Sequence, residues 1–161
     1  MSKDSILQIA CIVTNGLLTE TVEHEEIAIH HDDGALAGMN AWCQEHHGQS
    51  GLVEAVRRST VRMEEAEERV LAFVKQYAEP NSPIAGNSVH VDVQFLKKWM
   101  PRLYDYAHYR IVDVSTVGEL CSRWYRKEHN KAPRKKGNHT AMSDIRESIE
   151  QLKYYKSAIF K

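Results

Sequence analysis

The chain has 161 residues, 42% of them hydrophobic and 27% charged, with a formal net charge of −1. That length suits one compact domain with a substantial core. The balanced charge excludes a globally basic nucleic-acid binder, so a polyanion site has to come from local clustering. No apolar run approaches the roughly 20 residues of a membrane helix.

In chain order, residues 6–14 are apolar and β-branched and predict a buried strand. Asn15-Gly16 signals a hairpin, and a second, antiparallel strand is expected through residues 26–30. His30, His31, Asp32 and Asp33 match no zinc spacing and read as a solvated turn. Trp42 lies with His46 and His47 in a loop, where an aromatic ring can stack on a base or simply cover the core. Ser50-Gly51 opens a short helix over 52–58. Thr60, with Glu64 nearby, opens a longer one to about 77, with Val61, Val70, Leu71, Phe73 and Val74 as its apolar face. Residues 84–87 predict a short strand, 92–99 a helix ended by Pro101, 110–114 a strand and 116–125 a helix. Residues 127–137 form a basic loop; Lys131, Arg134, Lys135 and Lys136 there can attract a polyanion or merely be solvated. Residues 141–155 form the last helix, with Ile145, Ile149 and Leu152 on one stripe. A hairpin followed by strands alternating with helices predicts an α/β layer protein with a mixed sheet. The three cysteines, Cys11, Cys43 and Cys121, read as reduced, mostly buried thiols of an intracellular protein. No signal or transit peptide is visible.

Three places carry polar chemistry. His139 stands five residues ahead of Asp144, about 7.5 Å of helical rise. A carboxylate can hold a divalent metal while a nearby imidazole takes a proton from water; a solvated helix start is the plainer reading. Asp92 follows a short strand, at the strand ends where α/β proteins gather ligand groups, and is also a good helix cap. Arg110, Asp113, Ser115 and Thr116 repeat that arrangement on the next strand. Hydroxyls, a guanidinium and helix-end amides suit a phosphate, with capping by Ser115 or Thr116 as the alternative.

Together these segments are more specific than any one of them. Met39-Asn-Ala-Trp42, His46-His47-Gly-Gln-Ser-Gly-Leu52, Ala85-Gly-Asn-Ser-Val89, the run from His108 to Thr116, and His139-x-Ala-x-x-Asp144 follow one another in the chain. In that order they closely resemble the oligoribonucleases, in particular their eukaryotic branch. These are 3′→5′ exonucleases of the DEDD superfamily with the His variant of the third motif. The resemblance covers essentially the whole chain. It implies an RNase H-like mixed sheet flanked by helices, a single exonuclease domain over residues 1–161, a homodimer, and two Mg²⁺ or Mn²⁺ ions. The implied substrate is very short RNA, down to dinucleotides, released as 5′-mononucleotides, with no membrane partner. By motif position, Asp92 and Asp144 are expected as metal ligands and His139 as general base. Trp42 is expected to stack on a base and His47 to lie near the 3′ end. Ser88, Arg110, Ser115 and Thr116 are expected to hold the 5′ phosphate, and Tyr109 to reach the neighbouring protomer's substrate. The implied compartment is the cytoplasm, or the mitochondrion for a longer form with a transit peptide.

One family motif has no counterpart. Asp-x-Glu-x-Thr-Gly-Leu, expected on a strand ahead of residue 6, is nowhere in the 161 residues. The family's first strand is therefore expected to be missing from the sheet, the chain being N-terminally shortened relative to the family. The alternative function is a non-catalytic homologue that dimerises and binds short RNA.

Overall fold

The computed structural model describes residues 4–39, 48, 50–134 and 140–160. The chain opens with an antiparallel hairpin, β1 (Gln8–Thr14) and β2 (Thr21–Ala28). The connection is a six-residue loop rather than a two-residue turn. The Asn15 side chain organises it by accepting from the Thr19 N–H at 2.9 Å, and Leu18 takes a positive φ of 61°. β2 ends at Ala28, but Ile29 N–H still reaches the Leu7 carbonyl at 2.8 Å. Pairing between the two arms thus continues one residue past the strand.

Helices α1 (Asp33–Ala37), α2 (Leu52–Arg58) and α3 (Met63–Tyr77) follow. The expected solvated turn at His30–Asp33 is instead a helix start. Asp32 caps α1 by accepting from Ala35 N–H at 2.8 Å. The Thr60 cap is also corrected. α3 begins at Met63 after Arg62, with no side-chain cap. Tertiary packing decides its start, for Ala66, Val70 and Leu71 are buried on its inner face.

β3 (Pro83–Gly86), α4 (His90–Trp99), α5 (Pro101–Tyr106), β4 (His108–Asp113) and α6 (Val114–Trp124) follow in the chain, with β3 and β4 parallel. Pro101 ends α4 as expected and also starts α5, a helix absent from the sequence reading. Proline suits a first helical position because the amide it lacks needs no partner there. The start of α5 is satisfied by Glu67, a buried carboxylate on α3. It accepts from the amides of Arg102 at 2.6 Å and Leu103 at 3.1 Å. A short helix α7 (Arg126–His129) occupies the head of the expected basic loop, and α8 (Ala141–Ala158) closes the described chain.

One core joins Ile27 and Ile29 of the hairpin arm to Ala66, Val70 and Leu71 of α3 and to Met100 and Leu103. A second joins Val114 and Cys121 of α6 to Tyr155 of α8. The α/β class is as expected. Among the described residues, however, the strands form two separate pairs, β1–β2 and β3–β4, rather than one sheet. α8 packs against both β1 and β3. No described strand joins the two pairs.

Candidate active site at the ends of the parallel strands

The C-terminal ends of β3 and β4 lie side by side, with Gly86 opposite Asp113 in the register. Each chain turns there into a helix, which brings Asn87 and Ser88 against Asp113, Ser115 and Thr116. The Ser88 and Ser115 hydroxyl oxygens meet at 3.3 Å. Ser88 holds a left-handed φ of 53°, an uncommon conformation for a residue with a side chain. It points its N–H at both Asp113 Oδ1, 3.0 Å, and Ser115 Oγ, 2.9 Å.

Asp113 is the electrostatic centre of this junction. It caps α6 by accepting from Ser115 N–H at 2.9 Å, and its other oxygen meets His90 Nδ1 at 3.2 Å. Partial burial raises its pKa. The hydrogen bonds from His90 and from the Ser88, Ser115 and Thr116 amides outweigh that effect and hold it below the usual carboxylate range. This corrects two sequence readings. The cap of α6 is Asp113 rather than Ser115 or Thr116, and the helix-end amides offered to a phosphate are already taken by its carboxylate. What faces outward is hydroxyl chemistry.

A depressed folded pKa has a definite sign in acid. The unfolded chain takes up the proton first, so the stability Asp113 contributes is whole above about pH 4 and is lost as pH falls through its lower folded value. Asp113→Asn is therefore expected to lower stability near neutrality and to flatten the acid dependence. Urea unfolding of both proteins in steps from about pH 7 to about pH 3 measures this. Parallel curves would show that the carboxyl is not held low.

Asn87 connects the junction to α8. Its Nδ2 donates to Ser148 Oγ and Gln151 Oε1, each at 2.9 Å. Its Oδ1 accepts from Ser115 Oγ at 3.2 Å. Ser148 Oγ in turn donates to the Asp144 carbonyl at 2.8 Å. Asp144 thus sits one helical turn from the Asn87 contact, in the first turn of α8, whose cap is Thr140. Asp92 lies five residues after Asn87, in the first turn of α4. The cap reading of Asp92 is overturned, since α4 starts at His90 after Val89, with no side-chain cap. Asp92 and Asp144 each stand in the first turn of a helix, and Asp144 is tied to Asn87 through Ser148.

Arg110 and Tyr109 stand earlier on β4. The pairing jumps from Pro83–His108 to Ile84–Ile111, so these two residues bulge from the ladder. Tyr109 is 70% exposed, and the Arg110 guanidinium lies 5.4 Å from its ring centre. Arg110 is about 10 Å of strand from Asp113. His139, Trp42 and His47 lie outside the described residues, as do Cys43, Lys135 and Lys136. Sequence reasoning quoted Asn87 and Asp113 within motifs but gave neither a role. The missed signal was an Asp at a strand end directly before a helix.

Neither described thiol, Cys11 nor Cys121, bonds to this junction. Cys121 is buried, and burial pushes the Cys11 thiol up to about 11, leaving little thiolate near neutrality. The donor chemistry of Asp92 and Asp144 fits a hard divalent cation, which prefers carboxylate oxygen. Among the described residues, no group of three or more His, Cys, Asp or Glu is placed to enclose an ion. No helix among them is long and apolar enough to cross a membrane.

Hydroxyls and a carboxylate gathered at the ends of parallel strands mark the place where α/β proteins of this class bind ligands. The comparisons name the class more closely. A family model described as Exonuclease (RNase_T) matches residues 1–152. An oligoribonuclease of Arabidopsis thaliana is 52% identical over 159 residues, covering 98% of this chain and 72% of that protein. The mitochondrial oligoribonuclease of Homo sapiens is 47% identical over 162 residues, 100% of this chain and 68% of that one. An oligoribonuclease of Chromobacterium violaceum is 44% identical, covering 99% of this chain and 88% of its own length. The chain belongs to the exonuclease family, in its oligoribonuclease branch, whose hydrolytic members use divalent metal ions.

Proposed function

We propose that the chain is a 3′→5′ exoribonuclease that hydrolyses very short RNA, dinucleotides included, to 5′-mononucleotides. The observation that carries the reading is the meeting of the Ser88 and Ser115 hydroxyls at 3.3 Å at paired strand ends, where Asn87 bonds to Ser148 of the helix that carries Asp144. Identity to named oligoribonucleases favours catalysis over a non-catalytic binding role.

Asp92 and Asp144 would hold the divalent metal, two Mg²⁺ or Mn²⁺ ions in this reading, which supplies Lewis-acid help to phosphodiester hydrolysis. His139 takes the proton from the attacking water. Ser88, Arg110, Ser115 and Thr116 bind the 5′ phosphate. Trp42 stacks on a base, a contact every base can make, and His47 lies near the 3′ end. Tyr109, exposed on its bulge, reaches the substrate of a second copy in a homodimer. The working place is intracellular.

The phosphate assignment is tested with Arg110→Ala. Loss of a charge-assisted contact is expected to weaken binding of a 5′-phosphorylated dinucleotide by about 1.5–3 kcal/mol. The unphosphorylated dinucleotide should bind nearly as before. Equal weakening of both ligands in a calorimetric titration would remove Arg110 from the phosphate site.

A further inference from the structure

Asn87 is placed between two groups that the proposed reaction uses separately. On one side are the hydroxyls of Ser88 and Ser115; on the other is α8, which carries Asp144. Its orientation is determined by its partners. Gln151 Nε2 donates to the Pro133 carbonyl at 2.9 Å, so Gln151 presents its oxygen to Asn87. Asn87 must therefore turn its amide nitrogen to α8, and its oxygen to Ser115.

The protons follow from this. Ser148 spends its hydroxyl proton on the Asp144 carbonyl and accepts from Asn87. Ser115 accepts from the Ser88 N–H and gives its own proton to Asn87. The Ser88 hydroxyl alone among these keeps a proton able to turn outward. Every polar atom of the Asn87 side chain is thus used, two donors on α8 and one acceptor on Ser115. Ser148 is only 6% exposed, so its link is shielded from competition by water. The chain of bonds runs from the Asp144 backbone through Ser148, Asn87 and Ser115 to Ser88.

We propose that Asn87 is a positioning residue that fixes the spacing between the phosphate-binding hydroxyls and the carboxylate helix, and so selects substrate length. This rests on the reading of Ser88, Ser115 and Arg110 as the 5′-phosphate site. A rigid link sets one distance from the 5′ phosphate to the 3′ end, and only one oligonucleotide length spans it. A loosened link lets other lengths fit.

The test is equilibrium binding of 5′-phosphorylated diadenylate and 5′-phosphorylated tetra-adenylate to the full chain. The wild-type chain is expected to prefer the dinucleotide. Asn87→Ala should lower that preference by about three- to tenfold, the scale of one lost hydrogen bond. Ser148→Ala keeps Asn87, Ser115 and Ser88 and cuts one of the two bonds from Asn87 to α8, leaving that to Gln151; it should shift the ratio in the same direction by less. Both ligands carry the same phosphate, so a merely destabilised protein would weaken both alike and leave the ratio unchanged. An unchanged ratio in either folded variant, or a wild-type chain without preference, overturns the proposal. Arg110→Ala separates the two ideas. If it discriminates by 5′ phosphate while Asn87→Ala leaves the ratio alone, only the positioning role fails. If it does not discriminate, the phosphate reading fails and takes the positioning role with it.

Discussion

Asp144→Asn is expected to abolish metal-dependent release of mononucleotides from a 5′-phosphorylated RNA dinucleotide, and Asp92→Asn to do the same. The measurement belongs in a form of the protein that carries an Asp-x-Glu pair ahead of residue 1, a pattern these 161 residues do not contain. The expectation follows from the scarcity of ligands. Hard divalent ions need several carboxylate oxygens, and among the described residues no cluster of three His, Cys, Asp or Glu stands ready to replace Asp92 or Asp144. An amide keeps the side chain's shape and removes its charge, so folding should survive. The caps support this. α8 starts on Thr140, which accepts from Ser143 N–H at 3.2 Å, and α4 starts without a side-chain cap, so neither carboxylate is the cap of its helix. Unchanged thermal midpoints with turnover lost would fit the role. Turnover retained in Asp144→Asn would remove that residue from the metal site.

His139→Ala is expected to slow the same reaction by roughly 10²–10⁴-fold, the usual contribution of a positioned general base. Dinucleotide affinity should be nearly unaltered, since the imidazole is assigned to the water and not to the substrate. His139 directly precedes Thr140, the cap of α8, which keeps it close in the chain to Asp144. The decisive readout is the rate across pH. The wild-type rate should rise as the base loses its proton, and the variant should lose that limb. A variant with full rate at every pH would mean that another group, or none, takes the proton.

Much of this was legible in the sequence. The hairpin, the short strand before Asn87, α2, and the last helix carrying Asp144 all stand close to where periodicity and turn residues put them. So does the order of motifs, which depends on nothing but the chain. Local chemistry is enough for these, because a strand or helix declares its buried face through the spacing of its apolar residues.

Where elements begin and which side chains meet were decided by tertiary structure. Thr60, with Glu64 nearby, reads as the opening of this helix, yet α3 starts at Met63. Burial of Ala66, Val70 and Leu71 outweighs the modest gain of a cap. Pro101 reads as a stop, and only the Glu67 carboxylate, 35 positions away from Arg102, makes a new helix start there. Ser115 and Thr116 read as phosphate ligands or as the cap of α6, with no role for Asp113; the cap is Asp113. The strand register settled that by setting Ser88 N–H against Asp113, 25 residues off. Asn87 carries no periodic signal at all. Its partners Ser148 and Gln151 are 61 and 64 residues distant. The sequence by itself determined which residues are present and which local elements they form. The pairing of β3 with β4 and the packing of α8 decided which of them touch, because hydrogen bonds between distant segments exist only once the chain has brought their ends together.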